Sequence, residues 1–314
     1  MIGSAAAEGS FTPFLFILNT IILYKQLAVK KTDLQIRISQ WIELSLSDLL
    51  SSRILFLAGQ HRNSYFLLQQ SVEKANKAFA LYIGFTEEEF AKDIRHDQMK
   101  IFKKEIKKKE VEIQELLSML ERFPNAKNSA LLKPFNFHEY HKSLLSSIGT
   151  IDNLRNVDLV SISASEINYL IDGIYEIEDD EIQLPKFNDP TIKELFKNVS
   201  DLLGQIEIKP GETTKGEWDF VINDEQNIRL LTKIYTEELK IVNRVAFIEY
   251  AFIICAFFTI QHSSLTRYFV GDKNPLKIYT KKLPLVKKQQ EIMDVFERAV
   301  LEFKKMLNSK PLKI

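Results

Sequence analysis

The chain has 314 residues, 45% of them apolar and 11% aromatic, enough to close a sizeable core as one large domain or two ordinary ones. Its 42 basic and 42 acidic residues cancel, which excludes a global field for nucleic acid or an anionic membrane and confines any such binding to local patches. With 10 Gly and 9 Pro, tight turns are scarce and long helices are expected, while the lone Cys255 excludes a disulfide framework or a Cys-rich zinc site and suits a reducing cytoplasm.

Residues 1–33 read as a leader. MIGSAAAEGS resembles a cloning remnant or a loose tail, and residues 11–24 form an apolar stretch interrupted by Thr12, Pro13, Asn19 and Thr20. That stretch is short of the roughly 20 residues that span a bilayer, and it lacks the basic start and cleavage site of a signal peptide. A buried or partner-packed helix is expected there, not a membrane span.

Residues 34–123 read as helical almost throughout, with a break at 59–63 and a turn at Gly84. Within 63–85, Tyr65, Leu68, Val72, Ala75, Phe79 and Tyr82 share one arc of a helical wheel, and Gln69, Gln70, Glu73, Lys74, Asn76 and Lys77 fill the other. The polar half is either a solvated face or a surface for a partner. Thr86 with Glu89 three residues on is a capping box, which opens a helix expected to run unbroken to Phe123.

Residues 124–222 hold a loop at 124–134, a helical stretch at 137–175, an acidic connector, a short helix and the loop KPGETTKGEW. From 223 to 314 the pattern is a very long helix capped by Asn223 or Asp224, then a closing amphipathic helix over 285–307. Residues 245–260 carry a single charge, Glu249, and are expected to be buried at the centre. Val286, Ile292, Val295, Phe296, Ala299, Val300 and Phe303 should point inward from the closing helix. The fold class is all-α.

The order of these pieces is informative. Residues 48–85 resemble the two-helix hairpin of the HEPN superfamily (higher eukaryote and prokaryote nucleotide-binding): a Ser-rich helix, a Gly-containing turn, then Tyr65, Phe66, Gln69, Gln70, Glu73, Lys74, Lys77 and Ala78 at the family's positions. His96 and Asp97 are similar to a His-Asp pair on the next family helix, and Arg267 with Tyr268 looks like the Arg-Tyr pair before its closing helix. The resemblance covers about half the chain. It implies a HEPN-like antiparallel helical bundle formed by 34–123 and 223–314, with 124–222 a long, mainly helical insertion extruded from it.

HEPN ribonucleases carry an Arg, four to six residues, then a His. None of His61, His96, His138, His141 and His262 has an Arg at that spacing. The expected function is therefore a non-catalytic HEPN-like module that binds RNA, a nucleotide or an antitoxin-like protein partner in a toxin–antitoxin or abortive-infection setting. A homodimer in the cytoplasm is expected. The alternatives are a divergent HEPN endoribonuclease using Arg95, His96 and His262, or a helical scaffold with no nucleic-acid role.

Candidate ligand-binding residues are Arg62, Glu73, Lys77, Arg95, His96 and Arg267, which would supply cations and donors to phosphate if they meet in space. Lys103, Lys104, Lys107, Lys108 and Lys109 form the densest basic cluster, readable as a non-specific phosphate patch or as a solvated face. His138 and His141 lack a third metal ligand, and no Gly-rich phosphate loop, GxSxG elbow or Cys/His pair occurs. No metal and no cofactor are expected.

Overall fold

The computed structural model describes residues 33–94, 96–122, 137–154, 157–158, 160–180, 189–190, 192–194, 197–198, 223–268 and 274–308. The apolar stretch at 11–24, Arg95, and the loops expected at 124–134 and around KPGETTKGEW lie outside them. Among the described residues all regular structure is helical and no strand occurs. The fold is all-α.

Helices α1 (Asp33–Leu57) and α2 (His61–Tyr82) form an antiparallel hairpin. Small residues let the two backbones approach: Ser45 Oγ donates to the Ser71 carbonyl at 2.9 Å and Ser71 Oγ returns to the Ser45 carbonyl at 2.7 Å. Two turns along, Ser52 and Ser64 repeat the exchange at 2.8 Å in each direction. These buried hydroxyls therefore cost no unsatisfied polar group. The turn is a Schellman cap. Gly59 has φ +74°, Gly59 N–H donates to the Phe56 carbonyl and Gln60 N–H to the Leu55 carbonyl, which closes the helix end in a conformation that favours glycine. Gly84, at φ +97°, ends α2 the same way and seats Phe85 beside Ala80, Phe90 and Ile94.

The capping box of Thr86 and Glu89 is present, but the helix it opens is not continuous. After Glu87–Glu89 the chain widens into a π-turn over Phe90–Ile94, then restarts as α3 (Met99–Arg122). Gln98 and His96 lie in this break, and the reason for it is their contact with α2, described below.

Helix α4 (Phe137–Leu154) packs on α3, and α5 (Ala164–Asp180) packs on the long α6 (Glu225–Ile260). The helical stretch expected over 137–175 is two helices, separated within the weakly helical residues 149–163, and the second is opened by a capping box of Ser163 and Glu166. Neither is extruded. Ile151, Ile162, Ile167, Leu170, Ile171 and Ile174 join the same core as Leu68, Phe79 and Phe252, so these helices of the middle third are part of the packing. Burying that many isoleucines is worth more to the fold than exposing them on an outgrowth.

Asp224 caps α6, its carboxylate accepting from Gln226 N–H at 2.8 Å. The apolar half of α6 is central as expected: Phe252 meets Phe79, Phe296 and Phe303 with ring centroids 5.8, 5.8 and 6.1 Å apart. Residues Asn243–Ile260 are long and apolar enough to cross a membrane, with 56% of that window buried inside the bundle. One-turn helices at His262–Leu265, Pro275–Ile278 and Pro284–Lys287 lead to α7 (Gln289–Asn308). All seven residues expected to face inward from 285–307 are buried, although the helix is interrupted at Lys288. Arg53 bridges to Asp294 at 2.7 Å and Glu297 at 2.8 Å, which fixes α7 antiparallel to α1.

Candidate functional site

Along α2, Arg62, Phe66, Gln69, Glu73 and Lys77 recur every three or four residues and form one stripe. Beside it runs the apolar arc of Tyr65, Leu68, Val72, Ala75 and Phe79, fully buried. The polar half of α2 is not a solvated face: Gln69 and Asn76 are inaccessible and Glu73 is only 5% exposed.

The break between the π-turn and α3 roofs this half. His96 Nδ1 lies 3.3 Å from Glu73 Oε1, Lys77 Nζ donates to the same oxygen at 2.9 Å, and Gln69 Nε2 donates to Oε2 at 3.2 Å. Beside them Asn76 Nδ2 donates to Gln98 Oε1 at 2.9 Å. Lys77 also sits over the Trp41 ring of α1, 5.2 Å from its centroid. Burial raises the Glu73 carboxyl, but the Lys77 hydrogen bond and charge, with His96, outweigh it and hold the group below the usual carboxylate range. Glu73, Lys77 and His96 are thus brought together as candidates; Arg95 lies outside the described residues.

At the start of the same stripe a second group assembles. Arg267 lies over the Phe66 ring, 5.4 Å from its centroid, and 5.9 Å from the centroid of Tyr268. Arg62 stands one helical turn before Phe66 and donates to Asn63 Oδ1 at 3.1 and 2.8 Å. Arg267 is exposed and Tyr268 is 63% exposed, so two guanidinium groups and two aromatic rings share one accessible end of α2. Arg62 and Glu73 are eleven residues apart, about 16 Å along the axis, so the five described candidate ligand residues divide between two neighbouring sites, Arg62 with Arg267 and Glu73 with Lys77 and His96.

His262 is placed differently from His96. It is fully buried, its Nδ1 hydrogen-bonded to the Tyr279 hydroxyl and its ring 4.7 Å from that of Tyr65, whose hydroxyl donates to the Phe258 carbonyl at 3.1 Å. It is a core residue of the join between α2 and α6. The five lysines of α3 also separate. Lys103 grips both oxygens of Asp152 at 2.6 Å, Lys104 meets Asp93 at 2.6 Å, and Lys109 lies 3.0 Å from Glu105 and 3.7 Å from Glu249. Lys107 and Lys108 are exposed. Most of the cluster therefore neutralises acids of the chain itself, pinning α4 and α6 to α3.

Glu105, Lys109, Glu249 and Tyr140 form a titratable group between α3, α4 and α6. Burial, then the charge of Glu249, pushes the Glu105 carboxyl up to about 7 against the opposing pull of Lys109. His141 pairs with Glu110 at 3.0 Å and His138 is exposed, so these two do not converge. Among the described residues no group of three or more His, Cys, Asp or Glu is arranged to hold a metal ion.

Several of these partners carry no signal in sequence. Gln98, Trp41 and Tyr140 have unremarked neighbours in the chain and acquire their roles only through tertiary contact. Phe66 stands about 200 residues before Arg267 and Tyr268 in sequence, so their meeting is invisible to spacing. No protein-family description, no curated protein and no solved structure matches the chain.

Proposed function

We propose that the chain is a non-catalytic, HEPN-like helical module that binds RNA or a nucleotide at the open end of α2. The observation that carries this reading is Arg267 held over Phe66 next to the exposed Tyr268, one turn from Arg62. Guanidinium groups neutralise phosphate and aromatic faces stack bases, the combination used to hold single-stranded nucleic acid with little sequence preference. A net charge of zero suits a local site better than a broad electrostatic footprint. The cytoplasmic, defence-related setting comes from the HEPN resemblance and belongs to the same reading.

The test is fluorescence anisotropy of a labelled single-stranded RNA and of ATP, with the purified chain, from low to physiological salt. Binding should weaken steeply with salt, since released counterions drive phosphate contacts. Tyr268→Ala and Arg267→Ala together should lower affinity about tenfold or more, at roughly 1–3 kcal/mol per lost stacking contact. Absence of binding at low salt, or affinity unchanged in the double variant, refutes the reading.

A second reading is favoured by one contact, that of His96 with Glu73. A buried carboxylate holding one nitrogen of an exposed imidazole is the arrangement that orients a general base. A divergent endoribonuclease would use it so, and RNA cleavage lost in both His96→Ala and Glu73→Gln would establish it over the binding module.

A further inference from the structure

We infer that the ligand held at the open end of α2 presents a terminal phosphate monoester, seated on the first turn of that helix by Arg62, His61 and the uncapped N–H groups. The inference rests on the nucleotide-binding reading above and narrows it from any single-stranded RNA to a phosphorylated end.

The first turn of α2 is electropositive and contains no acid. Gln60 precedes it without a side-chain cap, and the first paired amide is that of Ser64, donating to the Gln60 carbonyl at 2.9 Å. The N–H groups of His61, Arg62 and Asn63 thus face out of the helix end, where the peptide dipoles favour negative charge. Arg62 adds a cation that opposes the dipole, and its side chain meets only Asn63 Oδ1, at 3.1 and 2.8 Å. Arg37, Arg53, Arg229 and Arg298 each meet a carboxylate, whereas Arg62 meets none. The Asn63 contact engages Nε and Nη2, so the guanidinium plane is held with Nη1 uncommitted.

His61 points to a ligand independently. It is 9% exposed, and its Nδ1 is enclosed without a hydrogen-bond partner. Its ring packs edge-on to Phe56, centroids 5.3 Å apart, and helical side chains lean toward the N-terminus, so this nitrogen borders the open turn. An unpaired buried polar atom is unfavourable, and a phosphate oxygen reached by a turn of the ring satisfies it. Burial and then the charge of exposed Lys281 hold the imidazole below its ordinary value, which places a further cation beside the same turn.

The row of cations stops there. Past Phe66 the stripe continues with Gln69 and Glu73, a carboxylate engaged by Lys77 and His96, and before Gln60 stands Leu57, 81% exposed. Neither direction offers a track for a phosphodiester backbone. A monoester carries about −1.5 to −2 charge at pH 7 and three acceptor oxygens, against one charge on an internal phosphate, and so matches a compact seat of several donors.

The test is isothermal titration calorimetry of the full chain with RNA hexamers of one sequence that carry a 5′-phosphate, a 3′-phosphate or neither, and with AMP and adenosine. A phosphorylated ligand should bind at least about tenfold more tightly than its hydroxyl counterpart, as expected of charge-assisted hydrogen bonds. Arg62→Gln with Lys281→Ala should erase that difference at unchanged helicity. A preference confined to the hexamers identifies an RNA end and one shared by AMP a free nucleotide, and both support the inference. Equal affinity for phosphorylated and hydroxyl ends, with binding still lost in Arg267→Ala with Tyr268→Ala, overturns it and leaves the nucleotide-binding reading standing. A preference that survives Arg62→Gln with Lys281→Ala overturns it too, and no binding of any of these ligands removes both.

Discussion

His96 Nδ1 lies 3.3 Å from Glu73 Oε1, and the two side chains differ sharply in environment: the imidazole is 72% exposed and the carboxylate 7%. One buried acid thus gathers Lys77, Gln69 and His96 and ties the break before α3 to α2. The polar half of an amphipathic helix has become the floor of a roofed site.

Replacing Glu73 by Gln should cost about 1–3 kcal/mol at pH 7, because donors from three residues lose a charged acceptor. The folded carboxyl sits below its ordinary value of 4.5. Its stabilisation is therefore complete above that value and drains away as pH falls through the folded one. Urea titrations of the native chain and of Glu73→Gln should diverge at neutral pH and converge in acid.

Glu105 has the opposite sign. Its folded value, about 7, is above its ordinary 4.5, so protonation favours the folded state and stability is lost as pH rises from the lower value through the upper. Glu105→Gln mimics the protonated group and should be more stable than the native chain by about 1–3 kcal/mol at pH 8. The two should be equal near pH 4, the comparison being made by chemical denaturation at both pH values.

The glycines give a controlled comparison. Gly59→Ala should destabilise by about 1–2 kcal/mol, since a Cβ at φ +74° meets its own backbone. At Gly149 a Cβ meets nothing within 4 Å, so Gly149→Ala should stabilise α4 by about 0.5–1 kcal/mol. Gly173→Ala should gain less, because the new Cβ would lie 3.1 Å from the Tyr250 hydroxyl. Thermal melts of the three variants should rank Gly149→Ala highest and Gly59→Ala lowest.

His262→Ala should lower the melting temperature through a cavity beside Tyr65 and Tyr279, at about 2–4 kcal/mol for a large-to-small change in a core. RNA affinity measured well below that temperature should be unchanged. A loss of binding in fully folded His262→Ala would return this residue to the site.

The apolar half of the fold was readable in sequence because burial follows period: the arc from Tyr65 to Phe79, the inward residues of α7 and the Asp224 cap all occupy the positions their spacing implies. The π-turn at Phe90–Ile94 was not, because the continuous amphipathic pattern there gives no sign that His96 and Gln98 leave the helix to meet α2. Charge runs misled for a related reason. Lys103, Lys104 and Lys109 look like a patch in one dimension, but Asp152, Asp93 and Glu249 reach them from other elements. Of the site itself, sequence supplied the residue types and tertiary packing supplied their grouping.

The most direct measurement is ultraviolet cross-linking of bound single-stranded RNA, followed by mass-spectrometric mapping of the attached peptides. The expected result is label on Phe66 or Tyr268, the rings that flank Arg267. Label confined to the exposed Lys107 and Lys108 face, or no cross-link at low salt, would contradict a nucleic-acid site at the open end of α2.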